Sequence, residues 1–399
     1  MSEFPNWLTD DYIKKIFNDF FDRERKLKEP IDWDVDLQFY EKHIENIATK
    51  LFKVKVTNKK DPKEVYSAFV KTLCESSPNN FQLTFSLQEI MFEREGEVYE
   101  DFISKLPHIL PKIEECELRF PKLYHFSKNP LVVVIEDVSQ EGFEKFPDPY
   151  SLDDCRKVFQ HLAKFHAFSY FLHHELNIDM SKFTNFIWKD LAKNVPIVNL
   201  AYGQFIEVVS SWEGCSEFAE KLRKFQPHYC DAIIDSSHPK DDGFNVLSHA
   251  DFHKHNLLFR NNKKDCVVID YQLSAWRSPA YDIIGAFNIF CEPEDNINSR
   301  DILLSSYHKE FKFILRKLGF SHRIPTLLDL HVEVLKCGIL DVVYWSIYNP
   351  MGALSENPGD KRQFIVRYVE ALNSSRQRQL AAVFPTFLNR GYLDCDEND

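Results

Sequence analysis

The sequence predicts an α+β protein in which a small sheet-bearing first part precedes a larger, mostly helical second part. In the first part, apolar residues and lysines alternate over 52–56 (FKVKV), which is typical of a half-buried strand. Residues 131–135 (LVVVI) form a continuous apolar run with the length of a buried strand. The second part opens with a strong helical pattern over 151–174, and helical spacing then dominates towards the C-terminus.

The first part begins with a predicted amphipathic helix, because apolar residues recur at helical spacing from Leu8 to Phe21. A polar stretch at 58–63 is typical of a turn between two strands. The strands are expected at 52–56, 65–73 and 131–135, and a second helix at 88–106.

In the second part, long helices are interrupted by three short strands. Ser151 is expected to cap the first helix, since two acidic residues follow it in the first turn. The helical patterns cover 151–174, 190–235, 299–318, 327–346 and 360–383. The short strands are expected at 245–248, 257–259 and 266–269. The two parts join near 137–149.

Composition and charge restrict the classes of function. Hydrophobic residues make up 44% of the chain, which indicates a folded globular protein. The formal net charge of −12 disfavours a nucleic-acid partner, because phosphate binding needs positively charged faces. The nine cysteines are scattered and never spaced as C-x-x-C, which is typical of thiols in a reducing compartment. With no signal-peptide pattern and no apolar run of about 18 residues, we expect a cytoplasmic protein without a membrane partner.

Glu95 lies on the apolar face of the predicted helix 88–106. The residues that share this face at helical spacing are Phe92, Tyr99, Phe102 and Leu106. A carboxylate at such a position is costly unless it is paired, so either it extends to the edge of the face or a buried cation lies opposite. Lys71, within the apolar strand 65–73, is the candidate cation, because kinases pair a strand lysine with a helix glutamate to hold ATP phosphates.

Residues 246–260 (VLSHADFHKHNLLFR) crowd polar side chains between two apolar runs. His249, Asp251 and Asn256 match the pattern H-x-D-x-x-x-x-N, in which the aspartate accepts the substrate hydroxyl proton and the asparagine holds Mg²⁺. Asp270 follows the apolar strand 266–269, and a carboxylate at the end of a buried strand is placed to chelate the Mg²⁺ of a nucleotide.

The same segment permits a second interpretation, in which His249, His253 and His255 are ligands of a structural zinc ion. His253 and His255 are only two residues apart, and no outlying pair of cysteines or histidines completes a four-ligand set. The kinase-type loop is therefore the favoured interpretation of this segment.

Four segments together resemble the ecdysteroid kinase-like family. They are VLSHADFHKHNLLF (246–259), VVIDYQLSAWRSPAYDI (267–283), LAKFHA (162–167) and LVVVIEDVSQEGF (131–143). This family belongs to the choline kinase and aminoglycoside phosphotransferase group, and the resemblance runs from about Trp7 to Val383. It implies a two-lobed protein-kinase-like fold, with a small sheet-bearing N-lobe at 1–137 and a larger, mostly helical C-lobe at 138–399.

The resemblance also implies the roles of the site residues. Lys71 resembles the lysine that contacts the ATP phosphates, and Glu95 resembles its helical partner. Asp251 resembles the catalytic base, with Asn256 and Asp270 as the Mg²⁺ ligands.

Other positions resemble the family's nucleotide hinge and its scaffold. The segment 135–138 resembles the hinge, whose main chain at Glu136 and Val138 would hydrogen-bond adenine. Asp282 resembles an aspartate that braces the catalytic loop, and His166 and His249 are expected to be structural as well.

Three positions depart from the family pattern. Ala250 stands where the family usually has glycine, Tyr271 replaces a phenylalanine, and the expected phosphate-covering loop near 43–51 contains no glycine. The resemblance implies an ATP- and Mg²⁺-dependent transfer of phosphate to the hydroxyl of a small molecule, with an ecdysteroid or another lipophilic alcohol as the suggested acceptor. The alternative, which the glycine-free loop favours, is a catalytically weak pseudokinase or small-molecule-binding protein of the same fold.

Overall fold

The computed structural model describes residues 4–40, 49–73, 85–110, 118–145, 150–184, 196–241, 243–291, 293–350, 363–373 and 376–394. The chain forms two compact units. The first comprises Met1–Pro111, Arg119–Lys145 and Leu258–Leu273, and the second comprises Lys112–Leu118, Phe146–Leu257 and Ser274–Asp399. The boundary between 137 and 138 stays a prediction.

The first unit is built on a five-stranded antiparallel sheet. In spatial order its strands are β1 (Trp33–Phe39), β2 (Thr49–Asn58), β3 (Asp61–Leu73), β6 (Leu131–Glu136) and β5 (Leu123–Lys128). Along β2, Phe52, Val54 and Val56 are buried while the lysines between them are not, as the period of a strand requires. The three strands that the sequence predicts in this part are confirmed.

Helix α1 (Asp10–Arg25) covers one face of this sheet and confirms the predicted opening helix. Thr9 caps it, because its hydroxyl oxygen accepts a hydrogen bond from the Tyr12 N–H at 3.2 Å. The buried residues of the helix and the inward strand residues form one core, which contains Ile13, Ile16, Phe17, Phe21, Trp33, Phe52, Val54, Val56, Ala68, Val70, Tyr124, Val132 and Val134.

Helix α2 (Phe85–Asp101) packs against β5 and β6, and a 3₁₀ turn at Ile103–His108 follows it. Gly96 allows this close approach, since a side chain added there would overlap the ring of Phe126 on β5. The neighbouring Glu95 is buried as a result. The helix predicted at 88–106 is confirmed as α2 with its 3₁₀ continuation.

A three-stranded sheet leads the chain to Asp270. Its strands, in spatial order, are β4 (Leu118–Arg119), β9 (Asp265–Val268) and β8 (Leu257–Arg260). Residues 266–268 of β9 are fully buried, which explains their apolar run. Asp270 follows with a φ of 68°, in the left-handed region, where the chain turns sharply after the strand.

The second unit is mostly helical and contains the short antiparallel pair β7 (Val246–Ser248) and β10 (Ala275–Arg277). Its helices are α3 (Leu152–His174), α4 (Pro196–Ser210), α5 (Ser216–Phe225), α6 (Tyr229–Ser237), α7 (Ala280–Phe290), α8 (Pro293–Leu318), α9 (Leu327–Lys336), α10 (Ile339–Val343), α11 (Phe364–Asn373) and α12 (Arg376–Asn389). Ser151 and Asp154 form a reciprocal capping box at the start of α3, as the predicted N-cap requires.

The predicted α+β class, with a sheet-bearing first part and a mostly helical second part, is confirmed. The single helix predicted at 327–346 is wrong, because the chain forms α9, α10 and a π turn at Tyr344–Tyr348. The interruption lies at Gly338, where any side chain would overlap the ring of Tyr392. Within the described ranges, no helix is long and apolar enough to cross a lipid bilayer.

Candidate active site

Three charged residues of the first unit are in contact, and we call them the lysine–carboxylate triad: Lys71, Glu95 and Asp270. The Lys71 ammonium donates hydrogen bonds to Glu95 Oε2 at 2.6 Å and to Asp270 Oδ1 at 3.1 Å. Lys71 belongs to β3 and Glu95 to α2, while Asp270 follows β9. Three site residues that the sequence singled out are therefore brought together, although 199 positions separate the lysine from the aspartate.

Burial strengthens the electrostatic interactions of the triad. Burial by itself lowers the pKa of Lys71, but the carboxylates of Asp270 and Glu95 beside it raise this pKa above its ordinary value. Burial also raises the pKa of Glu95 to about 7, with the charge of Asp270 acting in the same direction and Lys71 opposing it. Lys71 consequently stays positively charged at neutral pH.

The predicted hinge, 135–138, begins within the last two residues of β6 and continues past its end. The Glu136 carboxylate accepts hydrogen bonds from Arg119 Nη2 at 3.0 Å and from the Lys122 N–H at 3.1 Å. Asp137 is buried and lies 2.7 Å from Lys53 Nζ. Among the hydrogen bonds of the described residues, none uses the Val138 N–H. The roles of Glu136 and Val138 in adenine binding stay predictions.

The segment 249–256 of the second unit, which we call the 249–256 loop, holds the predicted catalytic base. Asn256 Nδ2 donates to the Asp251 carbonyl oxygen at 2.9 Å and to Asp251 Oδ2 at 3.1 Å. His253 Nε2 lies 3.3 Å from the other carboxylate oxygen, Oδ1. These contacts fix the orientation of the Asp251 carboxylate and bring Asp251 and Asn256 together across a five-residue step.

The charge state of Asp251 is set by two opposing effects. Burial raises the pKa of Asp251, but the hydrogen bond from His253 and the neighbouring charges lower it by more, so the net pKa is below the ordinary value. The carboxylate is thus ionised at neutral pH and able to accept a proton or a hydrogen bond from an alcohol.

Asp282, in the first turn of α7, braces the start of the loop. Its carboxylate accepts hydrogen bonds from the main-chain N–H groups of His249 at 2.7 Å and Ala250 at 2.8 Å. His166 Nε2 lies 2.9 Å from the same carboxylate, and His166 Nδ1 lies 2.7 Å from the Tyr307 hydroxyl. The side chains of His166, Asp282 and Tyr307 are all buried. His166 and Asp282 therefore form a scaffold behind the 249–256 loop.

Ala250 has a φ of 65°, in the left-handed region that favours glycine. The family resemblance places glycine at this position, and the backbone conformation explains why. Alanine adopts the same conformation here, with its N–H bound to Asp282. The departure from the family pattern therefore changes the local strain without removing the brace.

Asp270 in the first unit and Asn256 in the second each carry a side-chain oxygen of the kind that Mg²⁺ prefers. Within the described part of the chain, Lys71 contacts only one oxygen of Asp270, and the hydrogen bonds of Asn256 use its amide nitrogen and leave its oxygen for a ligand. The zinc alternative lacks such a set. Among the residues that the structure describes, no three His, Cys, Asp or Glu side chains converge to hold a metal ion.

A cluster of aromatic and cationic side chains in the second unit was missed by sequence reasoning. The Arg277 guanidinium stacks over the Tyr281 ring at 4.2 Å, and the hydroxyls of Tyr281 and Tyr348 lie 3.3 Å apart. The Tyr344 and Tyr348 rings are 4.7 Å apart. An arginine inside the apolar segment AWRSPA (275–280) was the signal that could have drawn attention to it.

Comparisons with solved structures return small-molecule phosphotransferases. Plasmodium vivax ethanolamine kinase is 13% identical over 98% of this chain and 93% of its own, with a TM-score of 0.39. Choline kinase LicA from Streptococcus pneumoniae is 12% identical over 93% and 99%, with a TM-score of 0.38. Macrolide 2'-phosphotransferase type I is 13% identical over 91% and 96%, with a TM-score of 0.39.

The sequence matches the profile of a protein family over most of its length. No protein with a curated description matches the chain. Residues 43–320, more than half of the chain, match the profile of the Ecdysteroid kinase-like family. The quoted segments 131–143, 162–167, 246–259 and 267–283 all lie within the matched region. The chain therefore belongs to the ecdysteroid kinase-like family.

Proposed function

We propose that this protein is an ATP- and Mg²⁺-dependent O-phosphotransferase that acts on the hydroxyl of a small molecule. The observation that carries the proposal is the position of Lys71, which is buried and bonded to both Glu95 and Asp270. Kinases use this combination of a strand lysine, a helix glutamate and a metal-binding aspartate to hold a nucleotide. Membership of the ecdysteroid kinase-like family supports the same activity.

Each residue has a distinct role in the proposed nucleotide binding. Lys71 binds phosphate oxygens, and Glu95 keeps the ammonium group in position. The main chain at Glu136 and Val138 hydrogen-bonds the adenine, and among the described contacts no hydrogen bond uses the Val138 N–H. Asp270 and Asn256 supply the oxygen ligands for Mg²⁺, which when bound neutralises the negative charge that develops on the phosphates.

Asp251 acts on the acceptor alcohol. The hydroxyl oxygen attacks the γ-phosphorus while the bond from that phosphorus to the bridging oxygen of ADP breaks, and ADP leaves with the bonding electron pair. The proton of the hydroxyl passes to the Asp251 carboxylate, which the 249–256 loop holds ionised and oriented. The brace from Asp282 keeps the loop fixed, so little reorganisation precedes the transfer.

The acceptor class that we propose is a lipophilic alcohol, such as an ecdysteroid. A catalytically weak pseudokinase is the second candidate, since the residues 43–51 expected over the phosphates contain no glycine. Residues 43–48 lie outside the described part of the chain.

Release of ADP from Mg²⁺-ATP, measured across a panel of ecdysteroids, sterols and choline analogues, tests the proposal. We expect acceptor-dependent ADP release that disappears in Asp251→Asn. Binding of Mg²⁺-ATP without turnover of any alcohol would favour the pseudokinase, and absence of nucleotide binding would refute both candidates.

A further inference from the structure

We infer that Arg277 is the anchor of the acceptor-binding subsite and that it selects an alcohol carrying a carbonyl or carboxylate oxygen over a cationic amino alcohol. This inference rests on the proposed function, because it deepens the identity of the acceptor. It starts from the buried guanidinium in the second unit.

Arg277 is buried without the hydrogen-bonding partners that such a group requires. The residue is 2% exposed, and its Nε and Nη1 groups make no hydrogen bond within the described part of the chain. No carboxylate among the described residues forms an ion pair with it, and its guanidinium carbon lies 4.2 Å from the centre of the Tyr281 ring. An arginine that loses water and gains no acceptor is costly, so the N–H groups favour an oxygen atom of a ligand.

Three tyrosines form one cluster with this arginine. Tyr281 is 4% exposed and lies against the guanidinium, while Tyr348, whose hydroxyl is 3.3 Å from that of Tyr281, is 37% exposed. Tyr344 packs beside Tyr348 at a ring distance of 4.7 Å. Aromatic rings with polar tips bind flat apolar molecules and hydrogen-bond their oxygen substituents.

The cluster adjoins the elements that carry Asp251. Arg277 pairs directly with Val246 of β7, the strand that runs into the 249–256 loop. Tyr344 approaches α7 so closely that a side chain at Gly285 would overlap its hydroxyl, and Asp282 one turn earlier on α7 holds the loop. Burial, followed by neighbouring acidic groups that include Asp251, raises the pKa of Tyr344, so its hydroxyl stays protonated.

The charge of the cluster decides between classes of acceptor. An ammonium group such as that of choline gains a cation–π contact from tyrosine but is repelled by a desolvated guanidinium. A ketone or carboxylate oxygen instead receives the N–H groups of Arg277 that the protein leaves unused. The chemistry therefore favours a neutral or acidic alcohol with an oxygen acceptor at a distance from the hydroxyl that is phosphorylated.

Calorimetry without nucleotide tests this assignment with four probes. They are a hydroxysteroid with a ring ketone, the same steroid with the ketone replaced by a methylene group, an ω-hydroxy fatty acid and choline. We expect the wild-type protein to bind the ketosteroid or the hydroxy acid more tightly than choline. Arg277→Met should weaken that binding about 10-fold or more and leave the affinity for the methylene steroid unchanged. Arg277→Lys should bind the oxygen-bearing probes with an affinity between those of the wild-type protein and Arg277→Met.

Thermal unfolding provides a matched control. Arg300 is also buried in the second unit, but its guanidinium donates to both oxygens of Asp341 at 2.7 and 2.8 Å. Arg300→Met should lower the melting temperature clearly, whereas Arg277→Met should leave it unchanged or raise it. Three results would overturn the assignment. They are an equal loss of stability in the two variants, tighter binding of choline than of the ketosteroid and the hydroxy acid, and no binding of either oxygen-bearing probe. If the wild-type protein does not bind Mg²⁺-ATP, that result would count against the proposed function and not against the role of Arg277.

Discussion

The ammonium of Lys71 and the carboxylate of Glu95 lie 2.6 Å apart, and their side chains are only 7% and 1% exposed. Removing Lys71 leaves the Glu95 carboxyl group buried and unpaired, which costs about 3–5 kcal/mol in a fully buried pair, whereas removing the Glu95 charge leaves Lys71 bonded to Asp270. We therefore expect Lys71→Met and Glu95→Gln each to lower the rate at limiting ATP and to reduce stability. The double variant should cost much less than the two single effects added together. Strictly additive effects in this double-mutant cycle would show that the contact carries no energetic coupling.

Glu95 also predicts a pH dependence of stability. Its pKa in the folded protein is about 7, above that of an exposed glutamate near 4.5, so the folded state holds a proton that the unfolded state releases. This contribution is fully present below about pH 4.5 and is lost as the pH rises towards 7. Chemical unfolding at pH 5, 6 and 7 should show a shallower decline in Glu95→Gln than in the wild-type protein. Identical slopes would mean that Glu95 does not titrate in this window.

Asp251→Asn should lower the phosphotransfer rate by about 10²–10⁴-fold, because the amide cannot accept the hydroxyl proton. Affinity for Mg²⁺-ATP should stay close to that of the wild-type protein, since Asp251 is assigned to the acceptor. Steady-state kinetics and nucleotide calorimetry separate the two effects. Asp235→Asn, at an exposed ion pair with Lys240, is the control that should change neither. A variant at 251 that turns over at the wild-type rate would remove the base from the mechanism.

Asp270→Ala should eliminate the dependence of ATP binding on Mg²⁺, because the amide of Asn256 supplies no negative charge to the metal. Titration of ATP with and without Mg²⁺ should give different affinities for the wild-type protein and equal ones for the variant. Asp265→Asn, at an ion pair with Arg260 on the same segment, should keep the metal dependence. Addition of a zinc chelator should alter neither binding nor stability. Unchanged metal dependence in Asp270→Ala would place the ligand elsewhere.

Ala250→Gly should stabilise the protein by up to about 1 kcal/mol, since glycine removes the left-handed strain of roughly 1–2 kcal/mol but adds chain entropy to the unfolded state. Denaturant unfolding measures the change. Ala167→Gly, within the regular helix α3, should instead destabilise by about 1 kcal/mol or more. Destabilisation at both positions would show that the backbone at 250 is not strained.

Local patterns were sufficient to predict the elements that carry the site. Glu95 stands out because its helix has one apolar face, and Lys71 because it interrupts an apolar strand. The contact between Lys71 and Asp270 could not be derived from spacing, since it depends on how β3 and the turn after β9 come together over 199 positions. The alternation in WDVDLQF of β1 was a usable signal that the prediction overlooked.

The cluster around Arg277 could not be predicted from the sequence for a different reason. Its tyrosines come from α7 and from the π turn at Tyr344–Tyr348, and no periodicity relates the two segments. The predicted continuous helix 327–346 would have given the chain a different register there. The break lies beside Gly338, which packs against the Tyr392 ring, and helical spacing alone does not reveal such packing.

Tyr281 and Asp282 are consecutive residues of α7, so their side chains leave the helix about 100° apart. The Tyr281 ring touches the Arg277 guanidinium, and the Asp282 carboxylate holds the main chain that precedes Asp251. If the proposed acceptor subsite is correct, a substitution at position 281 changes the surface around Arg277 while the hydrogen bonds from Asp282 to the 249–256 loop stay in place.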